Sequence, residues 1–593
     1  MPEAKEAMDF ADAPDDNVIR AAIAAAPKSA KFPYGYSVKN GLLMFAGGDD
    51  DPIVVSAAID VLAQTRDDLS ASWGLLLRWK DSDAHEHRWA MPMSLLAGEG
   101  GGEIRATLLD RGCFLSTNPK AKTKLLDFLA GVKTESRARA VERVGWTEGA
   151  FALPDRTIGE YPGRHVIYQG PAAFDHQYRS AGDLKDWQDG VAKYGVGNSR
   201  VAVALSAAFV GPLLDLIGEE GGGLNFRGPS SIGKSTALFA AASVWGPHGF
   251  VRQWRATSNG LEGVAVQHNE TLLCLDELGQ LDPKEAGSVA YMLANGMGKA
   301  RAARTGALKS PAHWRIMFLS SGEISLADLA KQDGRGRRSA AGQQVRILDV
   351  EADAGAGFGL FEALHGLSSA ELLARTIKDG AALHYGTAGP AFVEAVCARR
   401  DAVATALRKG IDGFVAAYLP KGADGQVNRA CRRFALVATA GEMAARLRIL
   451  PWPDGEAEKA AAALFKRWLD GRGGAGAAED REAVARVRAF LEAHGSARFE
   501  PMECDVQYEP RIVNRAGFWQ SVDGLREHLI LPEVWRCEVC AGLDATSVGR
   551  VLASKGMLRT DAAGKYSISR NLPGMGKSRV YVVTTSIFGG DDD

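Results

Sequence analysis

The sequence predicts an α/β fold whose centre is a five-stranded parallel sheet covered by helices. Segments typical of strands and helices alternate between Val201 and residue 355, which is the pattern of parallel strands joined by crossover helices. A glycine-rich loop follows the first of these strands, LNFRG, and two acids end the third, TLLCLDE. Strand and turn signals dominate before this core, and helical periodicity dominates after it. We therefore expect domains at residues 1–190, 191–355, 356–475 and 476–593.

Composition limits the classes of partner. The 593 residues carry 70 Lys and Arg against 72 Asp and Glu, a net charge of -2, so a nucleic-acid surface would have to be local. Seven cysteines form no disulfide framework and no paired zinc knuckles, which fits a reducing compartment. The acidic N-terminal segment has no apolar h-region, and the longest apolar run, Val201 to Leu214, is shorter than a bilayer span and contains Pro212. We expect a cytoplasmic chain without a membrane segment.

The first 190 residues predict a β-rich domain that binds DNA or shapes a ring. Asn40-Gly41 between two apolar runs is a strong hairpin signal, and a second hairpin is expected with KDSDAHEH at its tip. A helix is predicted over KLLDFLAGVKTESRARAVERV, residues 124–144.

Two features of the second hairpin allow a binding role beside a structural one. Acids and histidines at its tip could bind Mg²⁺ or Zn²⁺, but such residues are also ordinary turn chemistry, which we favour. Tryptophans interleaved with arginines could stack the bases of single-stranded DNA, although tryptophans on strands more often pack in a β core. These residues are Asp81, Asp83, His85 and His87 at the tip, and Trp73, Trp79, Trp89, Arg78 and Arg88 beside it.

The glycine-rich loop matches a phosphate-binding P-loop. The pattern Gly228-x-x-x-x-Gly233-Lys234-Ser235 follows a strand and opens a helix, which is the context that the motif requires. Backbone N–H groups of such a loop surround the phosphates, Lys234 reaches the β- and γ-phosphates, and the Ser235 hydroxyl takes a place around Mg²⁺. We therefore predict ATP and Mg²⁺ as cofactors. The expected binding residues are Gly228, Pro229, Ser230, Ser231, Ile232, Gly233, Lys234, Ser235 and Thr236.

Asp276 and Glu277 end the third strand, and acids at the end of a buried strand need a cation or a function. We expect Asp276 to hold Mg²⁺ through its water shell and Glu277 to polarise the water that attacks the γ-phosphate. An acidic turn at a strand end is the structural alternative. The pair of acids favours hydrolysis over nucleotide binding alone.

Two later strands carry the remaining candidates for the ATPase site. Ser320 and Ser321 end the fourth strand, where ATPases with an additional central strand place a polar residue that senses the γ-phosphate. Arg346 opens the fifth strand, where ring-forming ATPases place an arginine finger that reaches the neighbouring subunit's nucleotide. A solvated arginine at a strand end is the alternative. Three other arginines compete for the role: Arg335, Arg337 and Arg338.

A basic hairpin is predicted between the acidic strand and the sensor strand. In NGMGKARAARTGALKSPAHW, four cations flank Thr305-Gly306. A hairpin at this place would project its cations into the central hole of a ring and bind DNA phosphates, although a solvated loop has the same composition. The four cations are Lys299, Arg301, Arg304 and Lys309.

The C-terminal region predicts a winged-helix domain. Two helices, LPEVWRCEVCAG and DATSVGRVLASKGML, precede two strands joined by NLPGMGK, which is the order helix, helix, wing. Arg550 and Lys555 would contact duplex DNA, and docking of a protein is the alternative. Cys537 and Cys540 form a pair with no second ligand pair nearby, so zinc is not expected.

Taken in order, these segments resemble the MCM-like helicases carried by phages and mobile genetic elements, a family long labelled as a domain of unknown function. The resemblance covers nearly the whole chain and is carried by GPSSIGKST, LCLDELGQ, ANGMGKARA, QTRDD, WAMP, ERVGW, LPDRTIG, SSGEIS, GQQVRILDV, YGTAGPAF and RRFALVATAGE. It implies an AAA+ core in a hexameric, DNA-stimulated ATPase that unwinds duplexes in the 3′-to-5′ direction during replication of the element. The implied partners are single-stranded and forked DNA, with a loader or a primase.

The resemblance also implies roles by position. Lys299 becomes the pore cation and Arg346 the finger, while the two serines of the fourth strand replace a sensor that is more often Asn in the family. Arg432 and Arg433, in NRACRRFALVATAGE, become candidates for a second sensor.

Two classes of function remain open on the sequence. The first is an ATP-driven DNA translocase and helicase, and the second is a ring ATPase that remodels a protein or nucleoprotein complex, as a regulator does. A protein-remodelling pore normally presents an aromatic and hydrophobic loop, whereas KARAAR contains no aromatic residue, which favours the helicase. A binding protein that is gated by nucleotide without hydrolysing it is disfavoured by Glu277.

Overall fold

The computed structural model describes residues 30–47, 51–159, 165–170, 176–302, 308–309, 311–332, 346–472, 478–503, 512–541 and 543–589. The described elements before residue 190 that precede the central sheet are β1 (Tyr36–Lys39), β2 (Leu42–Phe45), β3 (Ile53–Ala57), β4 (Asp60–Arg66), β5 (Gly74–Lys80), β6 (Glu86–Pro92), α1 (Gly102–Asp110), α2 (Pro119–Gly131), β7 (Arg137–Val141), β8 (Gly145–Thr147), β9 (Ala150–Ala152), β10 (Thr157–Ile158) and β11 (His165–Tyr168). This first region contains sheets with the strand orders β1-β2-β3, β11-β7-β4-β5-β6 and β10-β9-β8.

Both hairpins predicted in this region are present. Asn40 and Gly41 join β1 to β2 with φ of 51° and 75°, a left-handed pair that these two residue types tolerate. β5 pairs with β6 across the polar tip. Trp79 and Trp89 are 2% and 6% exposed, so they pack in the core instead of offering a surface for bases. Among the described residues no group of three His, Cys, Asp or Glu side chains could hold a metal ion.

The helix predicted over residues 124–144 is wrong in its second half. α2 ends at Gly131, and the chain then forms β7, which pairs in parallel with both β4 and β11. Ala138 and Ala140 are 2% and 3% exposed between those neighbours. Pairing on both sides of the strand outweighs the helix propensity of the Arg, Ala and Glu residues in this segment.

The central sheet confirms the predicted α/β core. Its five strands are all parallel and lie in the order β13-β14-β17-β12-β18, so β17 separates the strand before the P-loop from the acidic strand. Alternate residues of β14 pack into two different hydrophobic clusters, because helices cover both faces of the sheet. Leu272 and Cys274 belong to one cluster, and Leu273 and Leu275 belong to the other. The elements here are α3 (Leu184–Gly190), α4 (Ser199–Ala207), α5 (Gly211–Ile217), β12 (Gly222–Arg227), α6 (Lys234–Ala242), β13 (Val251–Gln253), α7 (Ser258–Gln267), β14 (Leu272–Asp276), α8 (Pro283–Asn295), β15 (Arg301–Ala302), β16 (Leu308–Lys309), β17 (Met317–Gly322), α9 (Leu326–Lys331) and β18 (Ile347–Glu351).

The apolar run from Val201 to Leu214 spans α4 and α5. The axes of these two helices meet at 60°, and the run is buried in the core. Within the described ranges, no single helix is long and apolar enough to cross a membrane, and these two meet that criterion only as a bent pair.

Two polar side chains tie the first region to the start of β14. Asn269 Nδ2 donates to the Val144 carbonyl at 2.5 Å, and Glu270 Oε2 accepts from the Trp146 N–H at 2.6 Å. The Trp146 indole donates in turn to the Pro212 carbonyl at 2.7 Å. Burial raises the pKa of Glu270 to about 7, because the buried carboxylate loses its hydration. The ERVGW segment is therefore a contact between the first region and the central sheet.

A helical region follows the sheet, and many of its apolar residues belong to the same hydrophobic cluster as one face of that sheet. Its helices are α10 (Ala370–Leu383), α11 (Ala388–Cys397), α12 (Arg400–Tyr418), α13 (Gly425–Arg446) and α14 (Glu456–Arg472).

The C-terminal region contains the predicted final hairpin, but its sheet is larger than predicted. β22 and β23 are two of five strands in the order β19-β20-β21-β23-β22. The winged-helix assignment stays a prediction. The two cysteines of the CxxC pair are free thiols, Cys540 buried and Cys537 exposed. The elements are α15 (Ala478–His494), β19 (Phe499–Pro501), β20 (Gly517–Val522), β21 (Leu525–Ile530), α16 (Pro532–Val534), α17 (Ala545–Ser554), β22 (Ile568–Leu572) and β23 (Gly576–Val583).

Candidate nucleotide-binding site

The candidate site lies at the edge of the central sheet where its parallel strands end. Arg227 of β12 pairs with Gly322 of β17, and Ser320 of β17 pairs with Leu275 of β14. The P-loop, which follows Arg227, and Asp276 therefore meet at one edge, about 10 Å or two strand spacings apart.

The P-loop has the backbone of a phosphate cradle. Ser231 and Gly233 have φ of 64° and 102°, and α6 begins at Lys234, so the loop turns sharply into a helix N-terminus. Lys234 Nζ donates to the carbonyls of Gly228 and Pro229 at 2.8 and 2.6 Å, which holds the amine over the loop. A cation and a helix N-terminus at the same loop attract an anionic phosphate.

Asp276 and Glu277 occupy different environments at the end of β14. Asp276 is 8% exposed, and its Oδ1 accepts from the Ser321 hydroxyl and from the Glu277 N–H, the latter at 3.1 Å. Glu277 is exposed, and its backbone lies in the left-handed region, with φ 63° and ψ 62°. A residue other than glycine in that conformation costs about 1–3 kcal/mol, and such residues concentrate at functional sites. A carboxylate presented to solvent beside a P-loop can orient a water for attack on a phosphoryl group.

The structure distinguishes the two candidate sensor serines. Ser320 Oγ accepts from the buried Trp254 indole at 2.9 Å, so its hydroxyl is engaged in the core. Ser321 contacts Asp276 instead, and its Oγ lies 3.4 Å from the Glu277 nitrogen. Because successive residues of a strand face opposite sides of the sheet, only one of the pair reaches the acids. Ser321 is therefore the better candidate for the sensor.

Ser235 and Asp276 fit the requirements of Mg²⁺. The ion prefers oxygen ligands, keeps several of its waters and is held by one or two carboxylates together with phosphate oxygens. Ser235 is half-buried in the first turn of α6, and the hydrogen bonds that Asp276 accepts from Ser321 and Glu277 both use Oδ1. The second carboxylate oxygen is then suited to accept from a water of the ion.

Two contacts of the P-loop were not predicted. The Ser230 hydroxyl donates to Glu323, so a carboxylate lies against the loop. The Leu360 N–H donates to the Ile232 carbonyl at 2.8 Å, which holds the glycine-rich turn after β18 against the loop. At Gly359 a Cβ would lie 2.8 Å from the same carbonyl, so this approach requires glycine. No spacing in the sequence connects these segments, because only the fold brings them together.

Arg346 lies at the opposite edge of the sheet, where the parallel strands begin. It precedes β18, whose first residue, Ile347, pairs with Gly223 at the start of β12. The guanidinium carbon is 4.4 Å from the centroid of the Tyr291 ring on α8. The P-loop of the same chain is about 20 Å away along β12, farther than an arginine side chain reaches. Arg346 is therefore placed to act on another subunit or not on nucleotide at all.

The two candidates for a second sensor, Arg432 and Arg433, lie away from the P-loop of their own chain, and the role stays a prediction. Arg433 donates to the carbonyls of Arg346 and Gly221, at 3.0 Å each. Arg432 pairs with Glu219 at 2.6 Å. Both side chains are bonded at the end of the sheet remote from the P-loop, where neither can contact the phosphates of a nucleotide bound by this chain.

The base of the predicted basic hairpin is present. β15 pairs antiparallel with β16, with Arg301 opposite Lys309. Lys299 is exposed, and its Nζ donates at 3.1 Å to the hydroxyl of Ser258, the first residue of α7. The DNA-binding role stays a prediction. Outside the described residues lie the side chains of Arg301 and Lys309, the whole of Arg304, and the alternative finger residues Arg335, Arg337 and Arg338.

Comparison with known proteins extends the likeness beyond the P-loop. The family described as a domain of unknown function (DUF927) matches residues 38–313, which include the P-loop, the two acids and the basic hairpin. No curated protein matches the chain significantly. Among solved structures, one described as SCCmec type IV Cch, an active helicase, shares the fold. The match covers 94% of this chain and 99% of that chain, with a TM-score of 0.68 and 19% identity.

Proposed function

We propose that the chain is an ATP-driven DNA helicase that works as a ring. The observation that carries the proposal is the meeting of Lys234, Asp276, Glu277 and Ser321 at one edge of the sheet. Together they supply phosphate binding, a metal ligand, a water-orienting carboxylate and a sensor, which are the parts that transfer of a phosphoryl group to water needs. Mg²⁺, when bound, neutralises charge on the β- and γ-phosphates.

The ring is supported by the position of Arg346. Because it lies at the edge of the sheet away from its own P-loop, a site that uses it must combine two chains. A closed ring of identical subunits satisfies this requirement at every interface. The resemblance to MCM-like helicases makes that ring a hexamer.

DNA as the partner is supported by the basic hairpin, which lies between α8 and the sensor strand, so its movement can follow the state of the nucleotide. The fold shared with a protein described as an active helicase agrees with this partner. Movement in the 3′-to-5′ direction, replication of a phage or mobile element, and a winged helix that contacts duplex DNA complete the proposal.

The test measures ATP turnover with and without single-stranded DNA, beside strand displacement on forks with 3′ or 5′ tails. We expect DNA-stimulated turnover and unwinding that starts from the 3′ tail, both lost in Lys234→Ala, whose amine would bind the phosphates. ATP turnover that DNA does not stimulate, without strand displacement, would instead favour a ring ATPase that remodels protein.

A further inference from the structure

We propose that Tyr291 is a positioning residue for Arg346, and that its ring holds the guanidinium in place for the nucleotide of the neighbouring subunit. The inference rests on the proposed function, in which Arg346 acts on the nucleotide of the neighbouring subunit. Neither the P-loop pattern nor the basic hairpin points to Tyr291.

The contact itself is direct. Arg346 Cζ lies 4.4 Å from the centroid of the Tyr291 ring, within the range of a cation–π interaction. Tyr291 is 46% exposed on α8, so the pair is at the surface, where a second copy of the chain can approach. A guanidinium stacked on a ring uses its face for that contact, and its N–H donors lie in its plane. Stacking therefore leaves the geometry with which arginine binds phosphate intact.

The backbone of Arg346 is fixed separately. Its carbonyl accepts from the Gly223 N–H and from Arg433 Nη1, each at 3.0 Å. Arg433 comes from α13 and also donates to the Gly221 carbonyl at 3.0 Å, so one guanidinium ties the start of β12 to the residue before β18. Gly222 makes room for it, since a Cβ there would lie 2.1 Å from Arg433 Cζ. These bonds fix the backbone, and the orientation of the Arg346 guanidinium is set by the contacts of its side chain, one of which is the Tyr291 ring.

The Tyr291 ring restricts the orientation of the Arg346 side chain. An arginine side chain samples many rotamers, and a finger must lose this freedom before it stabilises charge on a transferring phosphoryl group. The Tyr291 ring selects among the rotamers before the nucleotide is in place. The energy of an exposed cation–π contact corresponds to a change in rate of about two- to fivefold.

The test compares Tyr291→Leu, which removes the ring, with Tyr291→Phe, which keeps it. We expect Tyr291→Leu to lower kcat for ATP by about two- to fivefold with KM for ATP unchanged, and Tyr291→Phe to keep the wild-type kcat. Tyr418→Leu, on a tyrosine that is 38% exposed on α12, is the matched control and should leave kcat unchanged. The thermal midpoint should stay the same in the two Tyr291 variants, because Tyr291 is exposed.

A double variant tests whether the ring acts through Arg346. Arg346→Ala should lower kcat far more than Tyr291→Leu does, and combining the two should lower it no further. Wild-type kcat in Tyr291→Leu overturns the inference, and so does a double variant in which the two effects multiply. A wild-type chain that hydrolyses no ATP refutes the proposed function itself, whereas a working ATPase with a silent Tyr291→Leu refutes only this inference.

Discussion

The two edges of the central sheet differ in how their charged groups are held. At the edge with the P-loop, Lys234 bonds its own loop and Asp276 accepts from the next residue and from the adjacent strand, while Ser230 contacts Glu323 from a distant segment. At the opposite edge the contacts are long-range. Arg433 reaches from α13 to the residue before β18, and Glu270 holds the backbone of the first region.

This difference separates two tasks. The edge with the P-loop collects the groups for chemistry within one chain, and short motifs carry Lys234, Asp276 and Glu277. The opposite edge joins the sheet to the rest of the molecule and carries Arg346 on a surface pair with Tyr291. Substitutions at the first edge should therefore stop turnover in the chain that carries them, whereas substitutions at the second should act on a neighbour or on stability.

Glu277→Gln is the sharpest test of the first edge. We expect ATP turnover to fall by about 100-fold or more while nucleotide binding persists, because the amide cannot polarise the attacking water and the P-loop is unchanged. Steady-state hydrolysis and equilibrium binding of ATP check this. Glu285→Gln, the same substitution in the first turn of α8, is the control and should keep wild-type turnover. Turnover near the wild-type rate in Glu277→Gln would show that the water is activated elsewhere.

Mixing two inactive variants tests the second edge. Lys234→Ala lacks the P-loop amine and Arg346→Ala lacks the finger, so each pure ring should be inactive. In randomly mixed rings about a quarter of the interfaces combine an intact P-loop with an intact finger, and ATP turnover should partly return. Subunit exchange has to be followed in the same samples, for example by energy transfer between labelled chains. Exchanged rings that stay inactive would place the action of Arg346 within its own chain or outside catalysis.

The basic hairpin leads into the start of β17, the strand whose other end carries Ser321, and should couple the ATPase site to DNA. Lys299→Ala with Arg301→Ala is expected to leave basal turnover nearly intact while DNA stimulation and unwinding are lost together. The salt dependence of DNA binding should flatten by about one counterion per cation removed. The charge-matched control is Lys459→Ala with Lys466→Ala, two exposed lysines on α14. Wild-type unwinding by the hairpin variant would identify the hairpin as a solvated loop.

The smallest effect is expected on stability, at Glu270. Its pKa is raised to about 7 in the folded chain, so the folded state binds this proton more tightly than the unfolded state does. The stabilisation that comes from the bound proton is fully present below the pKa that Glu270 has in the unfolded chain, and it is lost as the pH rises through 7. Glu270→Gln keeps an acceptor for the Trp146 N–H without the charge, and should gain up to about 3 kcal/mol over the wild type between pH 5 and pH 8. Denaturant unfolding of both proteins at pH 5 and at pH 8 checks this. The same difference in unfolding free energy between variant and wild type at the two pH values would contradict it.

The same contrast explains what could be predicted from the sequence. The P-loop, the two acids and the parallel sheet follow from short spacings and alternating periodicity, so they could be located before the structure was known. Tyr291, Glu323 and the bonding of Arg433 depend on contacts between segments far apart in the chain, which no local pattern encodes. The error at residues 124–144 has the same origin, since β7 exists only because two distant strands pair with it.

The left-handed backbone of Glu277 has a consequence for how this position evolves. Glycine adopts that conformation without the steric cost that glutamate bears, so the most stable residue for the turn is not the one present. Selection for turnover and selection for stability therefore favour different residues at the same position. A copy of the gene released from the need to hydrolyse ATP would be free to exchange this glutamate for glycine, and its protein would be harder to unfold.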